Sequence, residues 1–271
     1  MSTIHPTSDP PAQSPINPTV PDNIPLSELP PRTRRRFAPL NPDIPNDINA
    51  PRLKGVVFDV DGTLCQPQTW MFSQMRSALD IPKSVDILNH IYSLPLTESL
   101  LAMEAIKSIE RTAMHQMVPQ AGLVPLMTYL DSRSILKGIC TRNFDGPVTH
   151  LRENYMPGIL FHPVITRTFR PPKPDPAGIL FICGEWDVKG SEVIMVGDSM
   201  DDMAAGRRAG AATVLLRNEV NGELVGHEFT DCVVGGLEEL VGILERGFEE
   251  VDRSGGERQE LAEEAIDGIE G

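Results

Sequence analysis

Asp59 and Asp61, two residues apart, close an apolar run in "VVFDVDGTLC", Val56 to Cys65. Carboxylates at such a place can serve as nucleophile, as proton donor and acceptor, or as ligands of a hard cation. Left unpaired they repel each other and resist burial, so the stretch calls for positive charge close by. Three further stretches offer groups of complementary kinds. "ICTRN" carries Thr141, Arg142 and Asn143, "RTFRPPKPDP" carries Lys173, and "GDSMDD" carries Asp198, Asp201 and Asp202. Oxygen ligands with no nearby His or Cys point to Mg²⁺, which keeps some of its waters and accepts phosphate oxygens. A lysine and a threonine hydroxyl beside that ion complete a pocket for a phosphoryl group, and an aspartate can take that group as an aspartyl phosphate.

Residues so far apart meet only if the fold gathers them. Strand-like runs recur at "GVVFDV" (55–60), "SILKGIC" (134–140), "HPVITR" (162–167), "EVIMVGD" (192–198), "ATVLL" (212–216) and "DCVV" (231–234). Helical patterns lie between most of them, as in "DPAGILFICGEW" and in "DDMAAGRRAG", where Gly210 is a helix stop. That alternation predicts an α/β fold with a parallel sheet covered on both faces. In such a sheet functional groups collect at the C-terminal strand ends near a switch in strand order, and all four chemical stretches follow predicted strands. The pleat points Asp59 and Asp61 the same way, and Gly62 permits a tight turn after them. The interval 66–133 breaks the rhythm. Its longest pattern, "TESLLAMEAIKSIERTAMHQM" (97–117), places Leu100, Leu101, Ala105, Ile109, Ala113 and Met117 at helical spacing, with Thr97 as a cap.

The ordered set "DVDGTL", "CTRN", "KPDP" and "GDSMDDM" followed by "AGRRAGAAT" resembles the four motifs of the haloacid dehalogenase (HAD) superfamily over roughly residues 54–240. The resemblance implies a Rossmann-like parallel-sheet core, residues 51–65 and 134–246, with a small all-helical cap insertion at 66–133. It also implies roles. Asp59 matches the nucleophile and Asp61 the general acid and base. Thr141 and the backbone N–H of Arg142 would bind the transferring phosphoryl, and Lys173 would offset its charge. Asp198 would hold Mg²⁺ with Asp59 and the backbone carbonyl of Asp61, while Asp202, rather than Asp201, would orient the metal's water shell or Lys173. The expected activity is a Mg²⁺-dependent phosphatase acting on a small phosphorylated metabolite. A phosphomutase is the alternative enzyme, and a binding or scaffold protein on a HAD frame the non-enzymatic one.

The rest of the 271-residue chain sets bounds. Its formal net charge of −14 and few aromatics argue against a nucleic-acid surface. No apolar run is long enough for a bilayer, no secretory signal opens the chain, and the first 31 residues lack Lys and Arg. Four scattered cysteines, Cys65, Cys140, Cys183 and Cys232, fit free thiols in a reducing compartment, so the cytoplasm is expected. Residues 1–50 read as a disordered Pro-rich tail with no core of its own, carrying the basic cluster Arg32 to Arg36, which reads as solvated or as a docking signal. Residues 247–271 read as an acidic tail. "DVDG" also opens calcium loops, but the later acidic ligands of such a loop are missing. Arg142, Arg167 and Arg170 read as surface charges, with contact to substrate at the cleft rim as the alternative for each. Arg76, His90, Lys107, Arg111 and His115 are the polar residues of the insertion open to a substrate, at least half of them facing solvent. No motif encodes the substrate's identity or an oligomeric state.

Overall fold

The computed structural model describes residues 33–251. The strands are β1 (Thr33–Arg35), β2 (Gly55–Phe58), β3 (Leu136–Cys140), β4 (Val164–Ile165), β5 (Val193–Gly197), β6 (Ala212–Leu216), β7 (Cys232–Val234) and β8 (Glu249–Val251). Helices α1 (Thr69–Leu79), α2 (Ile87–Ser93) and α3 (Leu96–His115) fall between β2 and β3. They are followed by α4 (Leu123–Ser132), α5 (Asp145–Tyr155), α6 (Ala177–Glu185), α7 (Met200–Arg208) and α8 (Leu237–Arg246). Six strands make one parallel sheet in the order β4-β3-β2-β5-β6-β7, and β1 pairs antiparallel with β8.

The central strands are buried along their whole length because both faces of the sheet are covered. The pleat sorts their side chains. Val56, Phe58, Ile194 and Val196 face a core shared with α4, α5 and α8. Val57, Val193 and Met195 face a second core shared with α6 and α7. The strand order reverses at β2, which has β3 on one side and β5 on the other. Asp59 and Asp61 leave β2 at this reversal, and Asp198 leaves β5 beside it.

Between β2 and β3, α1, α2 and α3 share a separate small core of Met71, Met75, Ile87, Leu88, Ile91 and Ile106. The long helix differs from its sequence reading. It starts at Leu96 after Pro95, with no side-chain cap from Thr97. Its buried positions are Ile106, Glu110 and Ala113, whereas Leu100 and Leu101 are 60% and 70% exposed. A buried ion pair at Glu110, described below, rotates the helix away from its most apolar stripe. Helix α4, counted above with the insertion, contributes Leu126, Met127 and Leu130 to the core shared with α8.

The two expected tails are also different where they are described. Residues 33–50 lie on the sheet core: Phe37 is fully buried and packs its ring 6.0 Å from that of Phe248, and Leu40 N donates to Leu244 O at 2.9 Å. Prolines interrupt regular structure after β1 but do not prevent packing, since Phe37 and Leu40 need only a groove to fill. Arg34 Nε donates to Glu250 Oε1 at 2.6 Å and Arg36 Nη1 to Glu250 Oε2 at 3.2 Å. Glu250 is 1% exposed, so Arg36 and the more exposed Arg34 neutralise a buried carboxylate. Residues 1–32 and 252–271, the remainder of both tails, lie outside the described residues. Among the described residues, no helix is long and apolar enough to cross a membrane.

Candidate active site

Backbone pairing extends past the end of β2, with Asp59 N donating to Val196 O at 3.0 Å. This holds Asp59 rigidly at the mouth of the crevice. Lys173, 5% exposed, donates from Nζ to Asp59 Oδ1 at 2.8 Å and also to Asp202. Burial alone would push the lysine toward neutrality, but the facing Asp202 and Asp59 carboxylates more than offset it and raise its pKa. Burial raises Asp59 to about 6, with Lys173 pulling back. Among the described residues no basic side chain pairs with Asp61: Asn143 Nδ2 donates to its Oδ2 at 2.9 Å, and Cys65 Sγ approaches its Oδ1 at 3.9 Å. Burial, then the charges of Asp59 and Glu110, lift Asp61 to about 7.

The acidic stretch after β5 is organised by the start of α7. Ser199 caps that helix and Asp202 returns the contact: Ser199 N donates to Asp202 Oδ2 at 3.0 Å and Ser199 Oγ to the same atom at 2.6 Å. This reciprocal box fixes Asp202 inward, fully buried, with its other oxygen on Lys173. Gly197 makes room, since a Cβ there would strike Asp202. Asp201, one residue earlier, points to the cavity and pairs with Arg142. Asp198 is held by two amides not singled out in the sequence: Asn218 Nδ2 donates to its Oδ2 and Asn221 Nδ2 to its carbonyl, at 2.9 and 2.8 Å. Burial, then the Asp202 and Asp59 charges, raise Asp198 to about 8. Gly62, at φ +78°, turns the chain directly under the Asp198 carboxylate, where any Cβ would collide with it.

Thr141 is buried at the end of β3, and its Oγ1 accepts from Asn143 N at 3.2 Å. Arg142 Nη2 donates to Asp86 Oδ2, just before α2, at 2.6 Å, while Nη1 reaches Asp201. Burial opposes its charge, but these carboxylates raise its pKa overall. Arg167 departs from its reading as a surface charge. It is 8% exposed, donates from Nη1 to Glu110 Oε2 at 3.0 Å with a second contact to Oε1, and donates from Nε to the Arg142 carbonyl at 3.0 Å. Arg170 lies over the Tyr92 ring, 3.3 Å from its centroid. Cys65 and Cys140 are buried thiols whose pKa burial drives up, Cys140 to about 11, so both are neutral near pH 7.

Asp59, Asp61, Arg142, Lys173, Asp198 and Asp201 line one cavity of about 500 Å³ between the sheet end and α1, α2 and α3. Seven carboxylates and only four basic side chains line it. One carboxylate oxygen from each of Asp59, Asp198 and Asp202 falls within a single 4.8 Å cluster. Among the described residues Lys173 and Asn218 each take one oxygen, of Asp59 and Asp198 respectively, and no side chain hydrogen-bonds to Asp59 Oδ2 or Asp198 Oδ1. An all-oxygen donor set with excess negative charge fits a small hard cation. The cluster thus joins Asp59, Asp198 and Asp202, while the Asp61 side chain turns to Asn143. What sequence reasoning missed is the set of neutral amides, Asn143, Asn218 and Asn221, and the carboxylate partners Asp86 and Glu110. Asn143 stood in a chemical stretch, but nothing in the sequence marks the others.

Residues 53–210 match the family model described as "Hydrolase: haloacid dehalogenase-like hydrolase". An uncharacterized hydrolase of Saccharomyces cerevisiae is 46% identical over 199 residues, covering 71% of this chain and 91% of the yeast protein. The N-acetylmuramic acid 6-phosphate phosphatase of Pseudomonas aeruginosa is 27% identical over 224 residues, covering 73% of this chain and 97% of its own length. Among solved structures, a hydrolase from Pseudomonas syringae superposes with a TM-score of 0.59 at 21% identity over 70% of this chain and 97% of that one, a likeness of fold.

Proposed function

The chain belongs to the haloacid dehalogenase-like hydrolase family, and from that premise we propose that it is a phosphoric monoester hydrolase, dependent on Mg²⁺ and acting through an aspartyl phosphate at Asp59. The observation that carries this reading is the unequal environment of two carboxylates two residues apart. Asp59 has a lysine on one oxygen and stays the more readily ionised, whereas Asp61 is met by the Asn143 amide and the neutral Cys65 thiol and holds its proton to about 7. Pairs of carboxyl groups split in this way divide into a nucleophile and an acid. The phosphatase name of the Pseudomonas aeruginosa relative supports the same chemistry and does not favour the phosphomutase alternative.

In the first step Asp59 attacks phosphorus in line. The ester P–O bond breaks and the Asp61 carboxyl gives its proton to the departing alkoxide. Asp61, now a carboxylate, then takes a proton from the water that attacks the phosphoryl group, and the bond to Asp59 breaks to restore the enzyme. Lys173 neutralises charge on Asp59 and the phosphoryl oxygens throughout, held in place by Asp202. Thr141 and the Arg142 N–H would bind the transferring group. Asp59, Asp198 and the backbone carbonyl of Asp61 would hold Mg²⁺, with Asp202 fixing Lys173 beside them. When bound, Mg²⁺ supplies charge neutralisation and orientation of phosphate oxygens.

The test is stereochemical. A phosphate ester made chiral with oxygen isotopes, its phosphoryl group passed to an alcohol acceptor in place of water, undergoes two in-line displacements and emerges with net retention, and Asp59→Asn folds but does not turn over. Net inversion would reject the covalent route. Absence of turnover across a broad panel of phosphate esters with Mg²⁺ would return the chain to the non-enzymatic alternative.

A further inference from the structure

Four basic side chains line the cavity, and three are neutralised by the chain's own carboxylates. Lys173 has Asp59 and Asp202, Arg142 has Asp86 and Asp201, and Arg167 has Glu110. Arg76 is different. Among the described residues no carboxylate stands within ion-pair reach of it. Its Nη1 makes one long contact, 3.4 Å to the carbonyl of Phe72 in its own helix, and its Nε is buried with no partner. A guanidinium carries five donors in a planar fork suited to a carboxylate or a phosphate. Leaving a buried donor unmet is unfavourable, so such a group is kept where something else meets it.

The ordinary role for a basic residue in a last helical turn is to cover the final carbonyls. That role is taken: the carbonyls of Arg76 and Ser77 accept from the backbone N–H groups that follow α1. Arg76 instead shares a helix face with Phe72, one turn earlier, and both line the cavity together with Met75. Met71, Met75, Leu88 and Ile106 make an apolar wall among the polar groups. Phe72 and Arg76 also border an open hollow beside α1, which sets the guanidinium at the cavity's edge.

We infer that Arg76 forms a second anion site, and that the substrates are phosphate monoesters whose leaving alcohol carries a carboxylate or phosphoryl group on a partly apolar carbon frame. This rests on the phosphatase reading of the same cavity and adds the chemical class of the leaving group. The phosphoryl to be transferred sits at Asp59, the apolar wall receives the carbon frame, and Arg76 receives the second anion. It also explains how an acidic cavity selects a multiply charged ligand: each anionic end has its own cation.

The test uses the full chain with Mg²⁺ and matched monophosphates of ω-hydroxyalkyl compounds, in a series of chain lengths, ending in carboxylate, phosphonate or carboxamide. Wild type should prefer one anionic ending over the carboxamide by about tenfold or more in kcat/KM, mainly through KM, the lower end for a hydrogen bond to a charged group. The carboxylate and phosphonate arms show which anion is read. Arg76→Gln should bring the ratio to within about threefold, and Arg76→Lys should restore part of it, since a point charge replaces the fork. A second readout needs no turnover: calorimetric binding of non-hydrolysable phosphonate analogues of the same compounds to wild type and Arg76→Gln. Binding preference that Arg76→Gln abolishes, with no ester turned over, would keep the anion site and reject the phosphatase reading. Turnover without preference, or preference that survives Arg76→Gln, would overturn the anion site alone.

Discussion

At the residue scale, neighbours decide what a carboxyl group does. Asp59, Asp61, Asp198 and Asp202 share one functional group, yet a lysine, a neutral amide, an asparagine pair and a helix cap give each a different state. Lys173→Ala removes the cation from both Asp59 and Asp202, so kcat should fall by roughly 10²-fold or more, as for loss of a preorganised electrostatic stabiliser. A change below about threefold, a fraction of a kcal/mol, would make Lys173 a bystander. Asn143 offers a finer test. Its amide favours the ionised form of Asp61 and so lowers that pKa. In Asn143→Leu the group holds its proton to higher pH, and the basic limb of the kcat/KM profile should move upward. A limb that stays or moves down would show that Asp61 is not the proton donor. The chemical residues themselves were legible because Asp, Lys and Thr at strand ends are unusual in combination. Their amide partners were not, because asparagine is ordinary in turns and its role appears only when distant loops meet.

At the element scale, the strands were legible and their partners were not. Runs such as "EVIMVGD" announce buried strands, and observed β5 lies inside that run. The side-by-side order of strands, and the reversal at β2, depend on contacts that no local pattern encodes. Helix α3 shows the same limit. Its apolar spacing suggested Leu100 and Leu101 as the packed face, but the paired charges of Glu110 and Arg167 set the face that is buried. The N-terminal segment carries the sharpest difference, because proline content reports interrupted helix and strand, and rules out neither a short strand such as β1 nor packing. Phe37 fills a site against Phe248 beneath β1 and β8. Phe37→Ala should therefore cost about 3–5 kcal/mol, as for a large buried aromatic, read from urea unfolding. Deleting residues through 50 should be at least as damaging, since Leu40 and Ala50 go with it. Wild-type stability in either protein would return residues 33–50 to the status of a tail.

For the whole molecule, the concentration of buried acid at one sheet end makes stability depend on pH and on cations. Asp59, Asp61 and Asp198 are raised to about 6, 7 and 8, against about 3.9 for an unfolded aspartate. The folded chain thus holds protons that the unfolded chain has released, and its stability declines as pH rises through these values. In chelator, Tm should fall between about pH 5 and 8.5. On the proposed metal site, saturating Mg²⁺ should raise Tm most at the alkaline end, where the carboxylates are ionised. A chelated protein with flat Tm over that range, or equal stabilisation by Mg²⁺ at both ends, would contradict the buried charge cluster. The pairing of β1 with β8 has another consequence, for force. Thr33 lies opposite Val251, so the chain enters and leaves the described fold side by side. Tension through both ends loads that ladder one pair at a time, as a zipper opens, rather than shearing all its bonds together. Pulling would peel away β1 and β8 and uncover Phe37 and Phe248 before it strained the six-stranded sheet. The contact that closes the core against heat is the edge at which traction first opens it.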